Sequence, residues 1–278
     1  MILAGAGPGD PGLLTRRAAE ALAAADVVLH DRLVHPDVLQ IARPGALIVA
    51  VGKRGGRGGA DRRQRAIVRA MIRHARAGRR VVRLKGGDPF LFGRGGEEGE
   101  ALARARIPFE IVPGVSSALA APAAAGVPLT HRGLSSSVAI VTGHVAEDGA
   151  EPDWSLLAHA VRTLVILMGA ERLSRIAARL VRAGMDPATP VTVVRWGTWA
   201  GQSTRSLSLA DAARGEVRVA PPVVIVVGAV GRLRAILGRR PSAPRGGTRG
   251  RPRGGTRGET LRGLRVVVAP PPPHGGGG

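Results

Sequence analysis

The chain has 278 residues, is 44% hydrophobic, contains no cysteine and carries a formal net charge of +21. That length accommodates two modest domains with real cores. The missing cysteines exclude a disulfide framework or a thiolate metal site, and no apolar run reaches the ~18 residues of a membrane span. MILAGAGPGD has no charged segment followed by a long apolar core, so no signal peptide is read and a cytoplasmic location is expected.

Ile2–Ala4 is expected as a short strand leading into Gly5-Ala6-Gly7-Pro8-Gly9-Asp10. Asp10 stands where a dinucleotide fingerprint needs its third glycine, and no G-K-[ST] follows, so this is neither that fingerprint nor a phosphate loop. Leu13, Leu14, Ala18, Ala21, Leu22 and Ala25 form one helical face. Val27–Leu29, Ala46–Val51 and Val81–Leu84 read as strands, and Arg62–Ala77 as an amphipathic helix carrying Ile67, Met71 and Ile72. Pro8, Asp31, Lys53 and Asp88 then all fall just past the carboxyl ends of strands that alternate with helices. That is the edge at which open α/β sheets bind ligands.

The stretch VVRLKGGDPFLFGRGGEE, residues 81–98, is the most specific in the chain. Gly86 and Gly87 at a strand end permit a positive φ or close approach of a ligand to the backbone. Pro89 holds Asp88 extended. Phe90 and Phe92 follow, in a chain with three Phe, three Trp and no Tyr. Glu97 and Glu98 fall in the positive first turn of the next helix. A loop this long and this particular is read as functional.

A helix at Glu97–Arg106 and a strand at Phe109–Val112 lead to Pro113-Gly114, where the composition shifts. The domain boundary is placed there, giving domains over 1–113 and 114–238. Ser116–Ala125 reads as a helix rich in small residues. The second half repeats the rhythm with strands at Val138–Thr142, Leu164–Met168, Val191–Arg195 and Val223–Val227 and helices at Arg172–Ala183 and Val230–Leu237. Residues 239–278 hold nine Arg and one acid and read as an Arg/Gly/Pro-rich linker and disordered basic tail. Within the tail, Leu261–Val268 reads as a turn and a strand entering a further domain, so that the tail is a linker plus the stub of a fusion, or a divergent tail; the competing reading adds Val266–Val268 as an edge strand to a sheet of the preceding domains.

LKGGDPFLFGRGGEE, with GAGPGDPGLLT at residues 5–15, closely resembles the uroporphyrinogen-III C-methyltransferases of the tetrapyrrole methylase family. The resemblance runs from Met1 to about Gly238. It implies two α/β domains of the tetrapyrrole methylase type with the active site in the cleft between them. It also implies S-adenosyl-L-methionine as methyl donor, no metal, and methylation of uroporphyrinogen III at positions 2 and 7 to give precorrin-2, on the way to sirohaem or cobalamin. A homodimer is expected on the same ground, with no membrane and no specific nucleic-acid partner. Carried over motif by motif, the cofactor contacts are Pro8, Gly86, Gly87, Asp88, Leu91, Ser116, Ser117, Met168 and Gly197, with Asp31 as proton acceptor and Lys53 as proton donor. The chain departs from the family at Ser117, where alanine is usual, and in Trp196 and Trp199 beside Gly197. Leu261–Val268 resembles the first strand of uroporphyrinogen-III synthase, which some relatives carry fused behind the methylase.

Residue chemistry by itself leaves alternatives. Asp31 also reads as a helix cap, Lys53 as a solvated charge and Met168 as a core residue. Lys53 and Lys85 are the only lysines, both placed in glycine-rich loops after strands. Retaining lysine there marks positions where a tunable proton could matter. The seven His show no metal-binding spacing, while His131 and His144 resemble family positions near the substrate. Arg32, Arg54, Arg94 and Arg132 are candidates for the substrate's carboxylates. A sister methylase acting on a later corrin precursor, and a basic RNA-binding protein suggested by the charge, are the rival readings. The full GGDPFLFGRGGEE argues against the first; the lack of aromatic residues on the expected strands argues against the second.

Overall fold

The computed structural model describes residues 1–51, 60–145, 151–215, 217–238 and 265–268. The chain separates into two compact units, one built on Met1–Val115 and joined by the late strand, the other starting at Ser116. The first runs β1 (Ile2–Gly5), α1 (Arg16–Ala24), β2 (Val27–His30), α2 (Pro36–Leu39), β3 (Leu47–Ala50), α3 (Ala60–Arg76), β4 (Val81–Lys85), α4 (Gly95–Arg104) and β5 (Glu110–Val112). The second runs α5 (Ser117–Ala124), β6 (Val138–Thr142), α6 (Trp154–Ala160), β7 (Thr163–Leu167), α7 (Leu173–Arg182), β8 (Pro190–Arg195), β9 (Ser203–Ser208), α8 (Leu209–Arg214), β10 (Val223–Val227) and α9 (Arg234–Leu237). The late strand is β11 (Arg265–Val268).

The first sheet has the order β11-β3-β2-β4-β1-β5 and is parallel throughout. Parallel strands connect through helices that cover both faces, which leaves central strands buried on both sides. On one face, Ala18, Ala21 and Leu22 of α1 and Val38 and Leu39 of α2 pack with Val28, Ile48, Val82 and Leu84. On the other, Met71 of α3 and Leu102 of α4 pack with Leu3, Val27, Leu29 and Val81. Thr15 caps α1 by accepting from Ala18 N at 3.3 Å, as expected of a threonine before an apolar helical face. The chain leaves β1 toward β2 on one side and leaves β4 toward β5 on the other. The adjacent carboxyl ends of β1 and β4 are therefore the switch point of this sheet, where the loops diverge and a crevice forms.

β11 pairs with β3 in parallel, Arg265 to Val268 against Leu47 to Ala50. Of the two expectations for this segment, the edge-strand one describes the pairing.

The second sheet, β6-β7-β10-β8-β9, is mixed. β6 and β7 run parallel, while β10 is antiparallel to both β7 and β8, and β9 is antiparallel to β8. Ile176, Ala177 and Leu180 of α7 cover one face with Trp154 and Leu209. Four elements have no counterpart in the sequence expectation: α2, α6, α8 and β9. β9 has the sequence STRSLS and is largely exposed, so neither apolar alternation nor a buried run marks it. No helix among the described residues is long and apolar enough to cross a membrane.

Asp26 ties together the entries to three strands. Its Oδ2 accepts from Arg80 N at 2.7 Å, ahead of β4, and its Oδ1 accepts from Arg43 Nη2 at 2.5 Å, ahead of β3. The hydrogen bonds from the Arg80 backbone and side chain, helped by Arg43, pull its carboxyl down to about 2. A depressed carboxyl stabilises the fold above its ordinary value, and that contribution is lost as pH falls through the folded value. We therefore expect Asp26→Asn to lower the melting temperature at pH 7. The gap to wild type should close progressively between pH ~4, the ordinary carboxyl range, and pH 2, as read by circular dichroism melts across that window.

Candidate functional site

The loops after β1 and β4 meet at the switch point. Ala6 N donates to Lys85 O at 2.7 Å, Gly87 N to Gly7 O at 2.7 Å and Gly7 N to Gly87 O at 3.2 Å. Gly87 has φ 68°, a left-handed conformation that its missing Cβ allows. The backbone here is also close-packed: a Cβ on Gly5 would come within 2.5 Å of Gly87 O and of Gly114 Cα. The requirement for glycine at these places thus comes first from backbone meeting backbone. Gly86 differs, since a Cβ there would have only Leu33 Cβ nearby, at 3.7 Å. The open approach to this loop lies over Gly86.

Asp88 secures the loop. Its Oδ1 accepts from Phe90 N at 2.8 Å and its Oδ2 from Gly114 N at 3.0 Å, joining the end of β4 to the end of β5. Both oxygens are committed to the protein, so Asp88 acts at least in part by shaping the loop. Leu91 is half-buried, while Phe90 is 58% and Phe92 41% exposed. Arg94 donates to Glu97 and to Asp61, pinning the start of α4 to α3.

Behind this loop lies a charge cluster that the sequence reading did not identify. Arg83 and Lys85 are two apart on β4, so they share a face, and each is only 2% exposed. Glu98 of α4 is fully buried. It accepts from Arg83 Nε at 3.1 Å, from Lys85 Nζ at 3.0 Å and from Gln64 Nε2 at 3.0 Å. Arg83 Nη2 donates to Asp31 Oδ1 at 2.6 Å, and Nη1 lies 3.3 Å from both Leu29 O and Leu84 O. Burial opposes the charge of Arg83, but Asp31 and Glu98 outweigh it and hold its pKa above the ordinary value. For Lys85 burial prevails, reinforced by Arg83, and its pKa is lowered despite Glu98. Lys85 is thus the last residue of a buried strand and not, as expected, part of an open loop. The signal for this cluster was present in V-V-R-L-K: two charges on alternate positions of an otherwise apolar strand need a buried counter-ion.

Asp31 is not a helix cap. The N-cap of α2 is His35, and Asp31 follows β2 with its side chain 32% exposed and paired to Arg83. His30 Nδ1 lies 3.0 Å from Asp31 O, and burial lowers the His30 pKa. Lys53 and Arg54 lie outside the described residues.

The other expected contacts belong to the second unit. Ser116 caps α5, accepting from Ala118 N at 3.2 Å, and Ser117 opens that helix. Met168 is not a core residue: it is 51% exposed, just past β7, at φ 56°. Gly197 follows β8, and a Cβ there would collide with Ala121 of α5. Trp196 and Trp199 pack edge to face with centroids 5.0 Å apart. His131 and His144 are exposed. Among the described non-glycine residues with positive φ, all but Arg106 lie in the loops after β4, β7 and β8, namely Phe92, Arg94, Met168, Trp196 and Thr198. Backbone strain of this kind concentrates at functional loops. No three His, Asp or Glu among the described residues converge as a metal site.

Residues 1–213 match the family model described as tetrapyrrole (corrin/porphyrin) methylases. The chain is 48% identical over 234 residues to siroheme synthase 2 of Aeromonas hydrophila, covering 84% of this chain and 49% of that protein. It is 49% identical over 229 residues to a siroheme synthase of Neisseria meningitidis, covering 82% and 47%. The chain therefore spans about half the length of these curated relatives. Among solved structures it resembles uroporphyrin-III C-methyltransferase of Thermus thermophilus at 46% identity, covering 84% of this chain and 98% of that one, with a TM-score of 0.73. A second structure of that enzyme, in complex with S-adenyl homocysteine, matches equally well. A cobalt precorrin-4 methyltransferase matches at 28% identity and a TM-score of 0.70.

The buried cluster makes a stability prediction. Removing one partner of a buried ion pair leaves an uncompensated charge, at a cost of about 3–5 kcal/mol. Glu98→Ala strands Lys85 and leaves Arg83 with Asp31 as its acidic partner; it is expected to lose stability in that range by urea unfolding, with Glu98→Gln losing less because an amide oxygen still accepts.

Proposed function

Because the chain belongs to the tetrapyrrole (corrin/porphyrin) methylases, we propose that it methylates uroporphyrinogen III at positions 2 and 7 with S-adenosylmethionine, giving precorrin-2 for sirohaem or cobalamin synthesis. The observation that carries this reading is the switch-point loop pair. Stitched at Gly7 and Gly87, it leaves only Leu33 Cβ near Gly86, while Asp31, just past the neighbouring β2, pairs with the buried Arg83 guanidinium. Uroporphyrinogen III as substrate, a homodimeric assembly and a cytoplasmic location belong to the same reading, as does a division into methylase domains over 1–113 and 114–238 followed by a tail.

The residues fit the methyl donor. A Cβ on Gly86 would meet only Leu33 Cβ, at 3.7 Å, which is room for a ligand to approach the backbone, and Pro8, Gly87, Asp88 and Leu91 are contacts in the same reading. Ser116, Ser117, Met168 and Gly197 supply the remaining contacts in this reading, with the exposed Met168 thioether as an apolar surface for adenine. When bound, S-adenosylmethionine supplies an already activated methyl group, so positioning provides most of the rate gain. The protein's chemical task is then proton management. A ring carbon that has attacked leaves the macrocycle with a proton to lose as its double bonds rearrange. Asp31 accepts that proton and Lys53 donates where the rearranging ring requires one.

Mass spectrometry of the product from uroporphyrinogen III and methyl-labelled S-adenosylmethionine tests the assignment. Two labelled methyl groups on the ring are expected; no labelled product from this substrate, with turnover of a later corrin precursor, would favour the sister reaction instead. Gly86→Val adds a branched side chain in the open approach and is expected to abolish cofactor binding by calorimetry with an unchanged melting temperature. Gly87→Val is a poorer probe, since its left-handed backbone would strain any side chain. Asp31→Asn and Lys53→Met are expected to retain cofactor binding and slow turnover by ~10²–10⁴-fold, the usual worth of general acid–base groups; wild-type turnover would remove them from the mechanism.

A further inference from the structure

Asp31 sits just beyond a strand end, where nothing in its own backbone fixes the carboxylate, yet its side chain meets a rigid partner. Arg83 Nη2 donates to Asp31 Oδ1 at 2.6 Å. The rest of the guanidinium is already clamped, with Nε on Glu98 Oε1 at 3.1 Å and Nη1 3.3 Å from Leu29 O and Leu84 O. Glu98 is in turn held by Lys85 and Gln64. A planar fork with three of its directions anchored fixes the fourth. If the cluster served only to dock α4 on β4, the contacts of Glu98 would suffice, and the Nη2 bond to a part-exposed carboxylate would add nothing to that docking.

We propose that Arg83 is a positioning residue for proton transfer, holding the Asp31 carboxylate aimed by a guanidinium that Glu98 and two strand carbonyls lock in place. This rests on the reading of Asp31 as the base. The cluster balances Arg83 and Lys85 against Asp31 and Glu98. Among the described residues, the charged and titratable groups facing Asp31 are Arg83 from β4 and His30 from β2, with Lys85 of β4 and Glu98 of α4 behind them.

Arg83→Lys tests this, because it keeps the charge and loses the fork. S-adenosylmethionine affinity and KM for uroporphyrinogen III should stay at wild-type values. kcat should fall by at least roughly tenfold, bounded by the ~10²–10⁴-fold worth of the base itself. A loss in kcat at unchanged KM is the signature of misplaced proton transfer, which a purely structural role would not give. Combined with Asp31→Asn, Arg83→Lys should cost nothing further, because residues acting through one another are not additive. Arg83→Met with Glu98→Gln removes one charge of each sign, keeps the cluster neutral, and should give the same kcat loss at unchanged KM should Arg83→Lys fail to fold. Additive losses, a rise in KM in place of a fall in kcat, or loss of folding in both variants would overturn the inference and assign Arg83 to stability alone. Wild-type turnover of Asp31→Asn would instead overturn the base assignment beneath it; slow turnover of Asp31→Asn with an unaffected Arg83→Lys would overturn only the role of Arg83.

Discussion

The first unit depends on two positive charges buried in the middle of a parallel sheet. β4 is central, so both of its faces are covered, and Arg83 and Lys85 on one of them are removed from water. Ionised groups cannot stay there without counter-charge and hydrogen bonds. Glu98 supplies both, and it can do so only if the first turns of α4 lie directly over β4. The loop between them, residues 86–94, is therefore closed at both ends by electrostatics: Lys85 and Arg83 at the entry bind Glu98 just past the exit. That constraint shapes the GGDPFLFGR segment before any ligand is considered.

Sterics then complete what the charges begin. Lys85 has room for its chain because Gly93 has no Cβ; one added there would stand 3.2 Å from Lys85 Cε. An arginine fork would need more space and more acceptors than the single Glu98 Oε2 contact offers, which is a physical reason for lysine in a chain that otherwise uses arginine. Gly5, Gly87 and Gly114 let the ends of β1, β4 and β5 approach to backbone contact, and Asp88 ties the ends of β4 and β5 together through Gly114 N. Residues that the family resemblance assigns to the cofactor are thus also residues without which the strand-end loops would not hold their shape.

Much of this was legible in the sequence. Alternating apolar strands and amphipathic helices placed Pro8, Asp31 and Asp88 beyond strand carboxyl ends, because strand and helix periods are local properties of the chain. The glycine motifs carried the family resemblance, and the open face at Gly86 agrees with a loop built for ligand approach. The polar edge strand β9 and the short helices α2, α6 and α8 were not legible, since their formation depends on neighbours supplied by distant segments.

Sequence alone determined the α/β rhythm, the strand-end location of the candidate residues and the family, each of which follows from local spacing or motif identity. Only the tertiary structure decided what those residues touch. It turned Asp31 from a possible cap into the partner of Arg83 and moved Lys85 from a loop into a buried strand end. It committed both oxygens of Asp88 to backbone donors, and it brought Glu98, expected merely to favour a helix dipole, into the centre of a four-charge cluster. The reason is physical: ion pairing and burial join residues 13 to 67 positions apart, from Lys85 to Glu98 and from Asp31 to Glu98 through Arg83, and a linear pattern records which side chains are charged but not which of them the fold removes from water.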